Sequence, residues 1–126
     1  MNFFQIILIL LAGLVVYNFI RKLILTKTIK QYSANEANDV VKKTRNAILL
    51  DVRTSSERSA QQIKGSVHIP LNELRRRSSE LKKYQDKEII CYCRTGSRSI
   101  NAASILKKNG FNSANLKGGI VSWNFN

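Results

Sequence analysis

One stretch in the second half of the chain joins a predicted buried strand to a predicted helix through a short polar loop. Residues 89–92 form an apolar run, and the residues from Arg98 onward space their apolar side chains as on one face of a helix. The six residues from Cys93 to Arg98 lie between them. Backbone N–H groups at such a turn can point inward at the Cys93 sulfur, which favours a thiolate.

The amino-terminal segment is apolar and free of charge from position 2 to position 20. As a helix, Phe3–Ile20 would be roughly 27 Å long, close to the thickness of the hydrocarbon core of a bilayer. No basic residue precedes the run and no small-residue cleavage site follows it, so we predict an uncleaved single-pass anchor. An amphipathic surface helix and a buried core helix are alternatives, but the run is apolar all round. We therefore divide the chain into a transmembrane helix (1–21), a basic linker (22–30) and one domain (31–126).

Charge indicates which side of the membrane holds the domain. Four basic residues lie at positions 21–30 and no acidic residue precedes Glu36, so the positive-inside rule predicts a cell-membrane protein with its domain in the cytoplasm. The whole chain carries a net charge of +13, and a basic domain next to a membrane is attracted to anionic lipids. The sequence has no aromatic-interleaved basic face, finger spacing or helix-turn-helix pattern, so no nucleic-acid partner is predicted.

The cysteine and histidine content limits metal and redox chemistry. Cys91, Cys93 and His68 fall short of a four-ligand zinc site, and no CxxC motif is present. The loop also lacks the lysine and the spacing of a nucleotide-binding P-loop. We therefore predict no metal, no cofactor and, in a reducing cytoplasm, no disulfide.

The remaining segments alternate between strand and helix patterns. Predicted strands cover residues 47–52, 67–69, 87–92 and 113–116, and a capping box at residues 33–36 opens a helix that reaches about residue 44. This alternation predicts an α/β fold with a parallel sheet flanked by helices and preceded by the transmembrane helix. Sites in such sheets lie beyond the carboxyl ends of the strands, where the pattern places Asp51, Arg53 and the loop at Cys93.

The chemistry of the loop follows from the residues around Cys93. Inward N–H groups, the start of a helix and two arginines each lower the pKa of a thiol, so Cys93 would be nucleophilic without a histidine base. His68 is predicted on a strand away from the loop, and Cys91 is predicted to be a small buried apolar residue. Only four residues separate Cys93 from Arg98, whereas a cysteine phosphatase needs five to hold a phosphate. The smaller loop suits one sulfur atom carried on Cys93 as a persulfide.

Several motifs occur in the order typical of a known family. The motifs are residues 49–53, Glu57, residues 63–70, residues 92–99 and residues 115–123. Together they resemble a single-domain rhodanese, a sulfurtransferase, and the resemblance covers residues 31–126. At residues 61–63 this chain has Gln-Gln-Ile where the family often has Gly-His-Ile, so no role of that histidine is carried over.

The resemblance implies a rhodanese fold and a ping-pong transfer of sulfur through a Cys93 persulfide. It implies that Cys93 is catalytic, that Asp51 and Arg53 brace the loop by polar contacts, that Gly118 and Gly119 form a structural turn and that Trp123 packs beside the site. It further implies that the donor is bound by the loop residues Arg94, Thr95, Gly96, Ser97 and Arg98.

The expected substrates are a small anionic sulfur donor, such as thiosulfate or a persulfide, and an acceptor that is a thiol, cyanide or a protein cysteine. Because Thr95 is neutral, persulfide or protein donors are favoured. The alternatives are a catalytically idle rhodanese-like module that binds or senses at the membrane and, less compatible with the loop length, an enzyme that handles arsenate or phosphate.

Overall fold

A five-stranded parallel sheet forms the centre of the domain in the computed structural model, which describes residues 1–125. The strands are β1 (Lys30–Tyr32), β2 (Ala47–Asp51), β3 (Val67–His68), β4 (Glu88–Tyr92) and β5 (Ser113–Leu116). Their order across the sheet is β1-β5-β4-β2-β3, and every neighbouring pair is parallel. The four predicted strands are confirmed with boundaries that differ by one residue at most. Strand β1 was not predicted.

Helices cover both faces of the sheet. They are α1 (Phe3–Thr28), α2 (Ala34–Asp39), α3 (Ser55–Ala60), α4 (Leu74–Arg77) and α5 (Ser97–Lys108), with a π-helical turn at Val40–Thr44 and 3₁₀ turns at Leu71–Glu73, Ser78–Tyr84 and Ile120–Ser122. Capping boxes begin α2 and α3, because Ser33 and Thr54 each pair with a glutamate three residues later. The predicted first helix of the domain is therefore confirmed, but its last turn is widened to a π-helix.

Two apolar clusters, one on each face of the sheet, form the core. Side chains of a strand alternate between the faces, so in β4 Ile89 and Cys91 lie on the α5 side while Ile90 and Tyr92 lie on the other. Cys93, the next residue after the strand, continues the row of Ile89 and Cys91. All five side chains are almost completely buried.

Helix α1 is long and apolar enough to cross a membrane, as its length and composition indicate. Its 26 residues correspond to about 39 Å, and none of them is fully buried. The segment 22–30, expected as a linker, instead continues the helix to Thr28 and then enters the sheet as β1. Leu25 and Ile29 pack against the core, which explains why this segment is ordered.

Candidate active site

The loop after β4 encloses the sulfur of Cys93. Gly96 has φ of 102°, a left-handed conformation that favours glycine, and its N–H donates to Cys93 Sγ at 3.1 Å. The Ser99 hydroxyl lies 3.4 Å from the same sulfur. Burial alone would raise the pKa of Cys93, but the Ser99 hydroxyl and the backbone N–H groups of Ser99, Gly96 and Thr95 outweigh it. The pKa of Cys93 is therefore lowered.

A glycine turn near the carboxyl terminus is hydrogen-bonded to the start of this loop. The N–H of Ile120 donates to the Cys93 carbonyl at 2.9 Å, and the N–H of Val121 donates to the Arg94 carbonyl at 3.3 Å. A Cβ at Gly119, where φ is 61°, would collide with both of these carbonyl groups. Only glycine allows the two backbone segments to approach this closely, so the predicted structural turn is confirmed at Gly119.

Two residues that the sequence did not single out connect the loop to the sheet edge. The single proton of the Ser99 hydroxyl is shared between Asn115 Oδ1 at 2.5 Å and Cys93 Sγ at 3.4 Å, and Asn115 Nδ2 donates to the carboxamide oxygen of Gln31 in β1 at 2.8 Å. The same Nδ2 lies 3.4 Å from the Gly96 carbonyl. The sequence could have indicated Ser99, because its hydroxyl lies in the first turn of the helix that follows Cys93. Asn115, in contrast, is brought to the site only by the pairing of β4 with β5.

The two arginines of the loop have different surroundings. Arg98 makes a bidentate ion pair with Glu57 of α3, with N–O distances of 2.7 and 2.8 Å. Hydrogen bonds from Arg98 lower the pKa of Glu57 to about 2, and this pairing raises the pKa of Arg98. Arg94 is exposed and, among residues 1–125, has no ion-pair partner. Arg98 thus ties the loop to α3, and Arg94 remains the cation that faces solvent.

Asp51 and Arg53 form a buried ion pair next to the loop rather than on it. Two hydrogen bonds of 2.8 and 3.0 Å join their side chains, and Arg53 also donates to the carbonyls of Glu57 and Gln61. Burial would raise the pKa of Asp51, but the hydrogen bonds and charge of Arg53 lower it overall. The pair therefore fixes the segment that carries Glu57, and its contact with the cysteine loop is indirect.

Cys91 and His68 lie where the sequence predicted them, whereas Trp123 does not contact the Cys93 cluster. Cys91 is completely buried, and burial raises the pKa of its thiol. His68 Nε2 lies 2.8 Å from the Arg53 carbonyl and away from Cys93. Trp123 follows the turn that holds the loop and packs against the second core cluster, on the face of the sheet opposite the Cys93 side chain, so its expected packing beside the site stays a prediction.

Two cavities flank the loop, and the end of α1 borders both. One, of about 290 Å³, lies beside Thr95, Gly96 and Ser97. The other, of about 530 Å³, lies beside Arg98. Lys22 lines the first and Arg21 the second.

Comparison with known proteins places this geometry in a family. The rhodanese-like domain family matches residues 33–126, so the chain belongs to the rhodanese family. It is 35% identical over 81 residues to a sulfurtransferase of Allochromatium vinosum, a match that covers 64% of this chain and 74% of that protein.

Two further similarities extend this assignment. The chain is 33% identical over 120 residues to the uncharacterized protein YqhL of Bacillus subtilis, a match that covers 94% of this chain and 91% of that protein. The crystal structure of a rhodanese-related protein from Thermoplasma volcanium superposes with a TM-score of 0.68 at 31% identity, covering 75% of this chain and 89% of the other. The rhodanese-like fold predicted from the sequence is confirmed.

Proposed function

We propose that this chain is a membrane-anchored sulfurtransferase that carries sulfane sulfur on Cys93. The observation that supports this most directly is the ring of donors around the sulfur: a backbone N–H at 3.1 Å and a serine hydroxyl at 3.4 Å, which lower the pKa of a thiol that burial alone would keep protonated. A thiolate is the nucleophilic form of cysteine, and the same donors can stabilise the negative charge of a persulfide.

In the first half of the reaction, the Cys93 thiolate attacks the outer sulfur of the donor. A new S–S bond forms, the donor's own bond to that sulfur breaks, and the remainder leaves with the electron pair as sulfite or a thiolate. The binding of the donor is assigned to Arg94, Thr95, Gly96, Ser97 and Arg98. Because Thr95 is neutral and Glu57 compensates the charge of Arg98, we favour persulfide or protein donors over dianionic thiosulfate.

In the second half, a nucleophilic acceptor, either a thiolate or cyanide, attacks the outer sulfur of the Cys93 persulfide. The S–S bond of the persulfide breaks and Cys93 leaves as the thiolate, which its donors stabilise. The acceptor is a small thiol, cyanide or a protein cysteine. Asp51 and Arg53 support the site by holding the segment with Glu57, which in turn holds Arg98.

The same proposal includes the location of the protein at the membrane. Phe3–Ile20 would span the cell membrane once, and the basic residues that follow it would keep the domain in the cytoplasm. With the helix continuing to Thr28, the membrane part and the soluble part are joined by rigid helix rather than by a flexible linker.

Mass spectrometry of the full chain in detergent tests the reaction. After incubation with glutathione persulfide or thiosulfate, the protein is expected to gain the mass of one sulfur atom and to lose it when an acceptor thiol is added. Cys93→Ser should gain nothing.

The matched control is Cys91→Ser, because Cys91 lies two residues away and is equally buried. This variant should gain sulfur as the parent protein does. A protein that accepts no sulfur from either donor, or a Cys93→Ser variant that still accepts it, would contradict the proposal.

A further inference from the structure

A groove lies between α1 and α5, outside the site around Cys93. Its volume is about 560 Å³, which is in the range of sites that bind small molecules. One wall is a face of α1, and the opposite wall belongs to α5 and includes Lys107 and Lys108. The wall on α1 carries apolar side chains at helical spacing, namely Tyr17, Ile20 and Ile24. The groove is therefore apolar on one side and basic on the other.

The apolar wall of the groove is continuous with the proposed membrane span. Tyr17 and Ile20 belong to the uncharged segment that ends at position 20, and Thr28 lies about 12 Å further along α1 than Ile20. At the level of Thr28, the Lys107 ammonium donates to its carbonyl at 3.1 Å, and Lys108 lies in the same wall. An amphiphile whose chain is in the bilayer can therefore lie along the groove with its polar end at the two lysines.

The charge of the groove indicates the sign of the polar end. Three basic side chains line it, Arg21, Lys107 and Lys108, and among residues 1–125 none of them has an acidic partner. Lys107 and Arg21 each have more N–H donors than they use for the Thr28 carbonyl and for Asn101 Oδ1. Unused donors on cations make their strongest hydrogen bonds to anionic oxygens such as those of a phosphate.

We propose that this groove binds one anionic phospholipid, with the phosphate at the three basic side chains and an acyl chain along Tyr17, Ile20 and Ile24. This inference rests on the membrane span that belongs to the proposed function, and it does not depend on sulfur transfer. A lipid fits the groove better than a protein partner does, because its chain stays in contact with the apolar wall from the bilayer into the groove. A zwitterionic lipid lacks the net negative charge that the three cations attract.

Native mass spectrometry of the full chain in detergent counts the lipids that it binds. The probe is dioleoyl phosphatidylglycerol, and dioleoyl phosphatidylcholine is the zwitterionic lipid with the same chains. One phosphatidylglycerol should bind about tenfold more tightly than phosphatidylcholine, because the basic side chains attract its net charge. Equal affinity for the two lipids would overturn the proposal. So would a dimer of the chain that binds no lipid, because a second copy would then cover the groove.

Removal of charge from the wall on α5 tests the phosphate end of the groove. The double variant Lys107→Gln, Lys108→Gln should bind phosphatidylglycerol about tenfold more weakly. The matched control is Lys82→Gln, Lys83→Gln, because these consecutive exposed lysines lie outside the groove and the loss of charge is the same. Lys108→Gln alone leaves the contact of Lys107 with α1 in place and should still weaken binding about threefold. Equal losses in the groove variants and the control would overturn the site.

A matched pair of substitutions on α1 tests the apolar wall. Ile24 and Leu23 are exposed to similar extents, 55% and 48%, but only Ile24 lines the groove. Ile24→Ser removes apolar contact with the acyl chain and should weaken the binding of phosphatidylglycerol about fivefold, whereas Leu23→Ser should leave it unchanged. Equal effects of the two substitutions would show that lipid surrounds α1 on all sides, and would overturn a site in the groove.

Flotation of the full chain with phosphatidylglycerol vesicles separates this inference from the proposed function. A chain that does not float would refute the membrane span and the lipid site together. A chain that floats but shows no preference for phosphatidylglycerol in the mass spectra would refute the lipid site alone. A chain that selects phosphatidylglycerol but accepts no sulfur on Cys93 would support the lipid site and refute the sulfurtransferase.

Discussion

The two cysteines of this chain show how little separates a thiol with a raised pKa from one with a lowered pKa. Cys91 and Cys93 lie two residues apart in one row of side chains, and their exposed fractions are 0% and 1%. Burial on its own would raise the pKa of both thiols. For Cys91, whose neighbours in the core cluster are apolar, no hydrogen-bond donor opposes this effect and the pKa is raised. For Cys93 the donors of the loop reverse the effect.

Burial by itself therefore does not decide whether a cysteine is structural. The decisive difference is the backbone after each residue. Cys91 lies within β4 and is followed by extended backbone, whereas Cys93 is followed by a turn at Gly96 that directs N–H groups at the sulfur. Changes that displace this turn should make Cys93 behave like Cys91, and the size of the effect should follow the number of donors lost.

The largest effect is expected from Gly119→Ala. The added methyl group would collide with the carbonyls of Cys93 and Arg94, so the loop must move and the whole ring of donors is displaced. We expect sulfur transfer to fall roughly a hundredfold, since displacements of this size misalign a reacting group. The alkylation rate of Cys93 with iodoacetamide should fall in parallel.

Gly110→Ala is the control for this change. Gly110 also has a positive φ, 87°, but a Cβ there meets nothing within 4 Å. Both variants place alanine at a positive φ, but Gly119 has ψ of −160°, a combination essentially confined to glycine, and only Gly119→Ala adds the collision with the loop carbonyls. If Gly110→Ala lost as much activity as Gly119→Ala, the backbone strain and not the position of the loop would be responsible.

A smaller effect is expected from Ser99→Ala, which removes one donor and leaves the loop in place. Because the pKa of Cys93 is lowered partly by this hydroxyl, the pH midpoint of alkylation should move upward. The thiolate is the reacting form, so the rate at neutral pH should fall roughly three- to tenfold and recover as the pH is raised. A rate that falls equally at all pH values would show that the hydroxyl acts by another route.

Ser104→Ala tests whether the loss of any hydroxyl on α5 would raise the pH midpoint of Cys93 alkylation. Ser104 is buried on the same helix, whereas the hydrogen bonds to Cys93 Sγ come from Gly96 and Ser99. Its removal should leave the pH midpoint unchanged. Cys91 remains unreactive in both variants and serves as an internal reference.

Local patterns were sufficient to predict the strand, the loop and the lowered pKa of Cys93, because these depend on residues adjacent in the chain. Asn115 and the Glu57–Arg98 pair depend on strand order and on the packing of α3, which a single sequence does not reveal. Strand β1 has only three residues and no apolar run, so its pairing with β5 is a tertiary effect. The helix over residues 22–28 was not predicted, because the basic residues of this segment indicated a linker although Leu23, Ile24 and Leu25 are apolar.

The smallest effect is expected from Glu57→Gln, which removes the ion pair with Arg98 but keeps the capping box, since glutamine can fill the same capping position. The pair is partly exposed, so the free energy of unfolding should fall by about 0.5–1 kcal/mol. The folded protein lowers the pKa of Glu57 from 4.5 to about 2, so this stabilisation is present above pH 4.5 and is lost as the pH falls toward 2. The difference in denaturant midpoint between parent and variant should therefore shrink over that range.

Glu36→Gln is the appropriate reference for this measurement. Glu36 occupies the same position in the capping box of α2, but it has no arginine partner among residues 1–125. The stability that Glu57→Gln loses beyond Glu36→Gln therefore isolates the pair with Arg98. Because this pair fixes the helical side of the loop and leaves the donors to Cys93 in place, the pH midpoint of Cys93 alkylation should change less than in Ser99→Ala. A larger change would mean that the loop depends on α3 for its shape, and that the contrast between the two cysteines extends beyond the turn that follows Cys93.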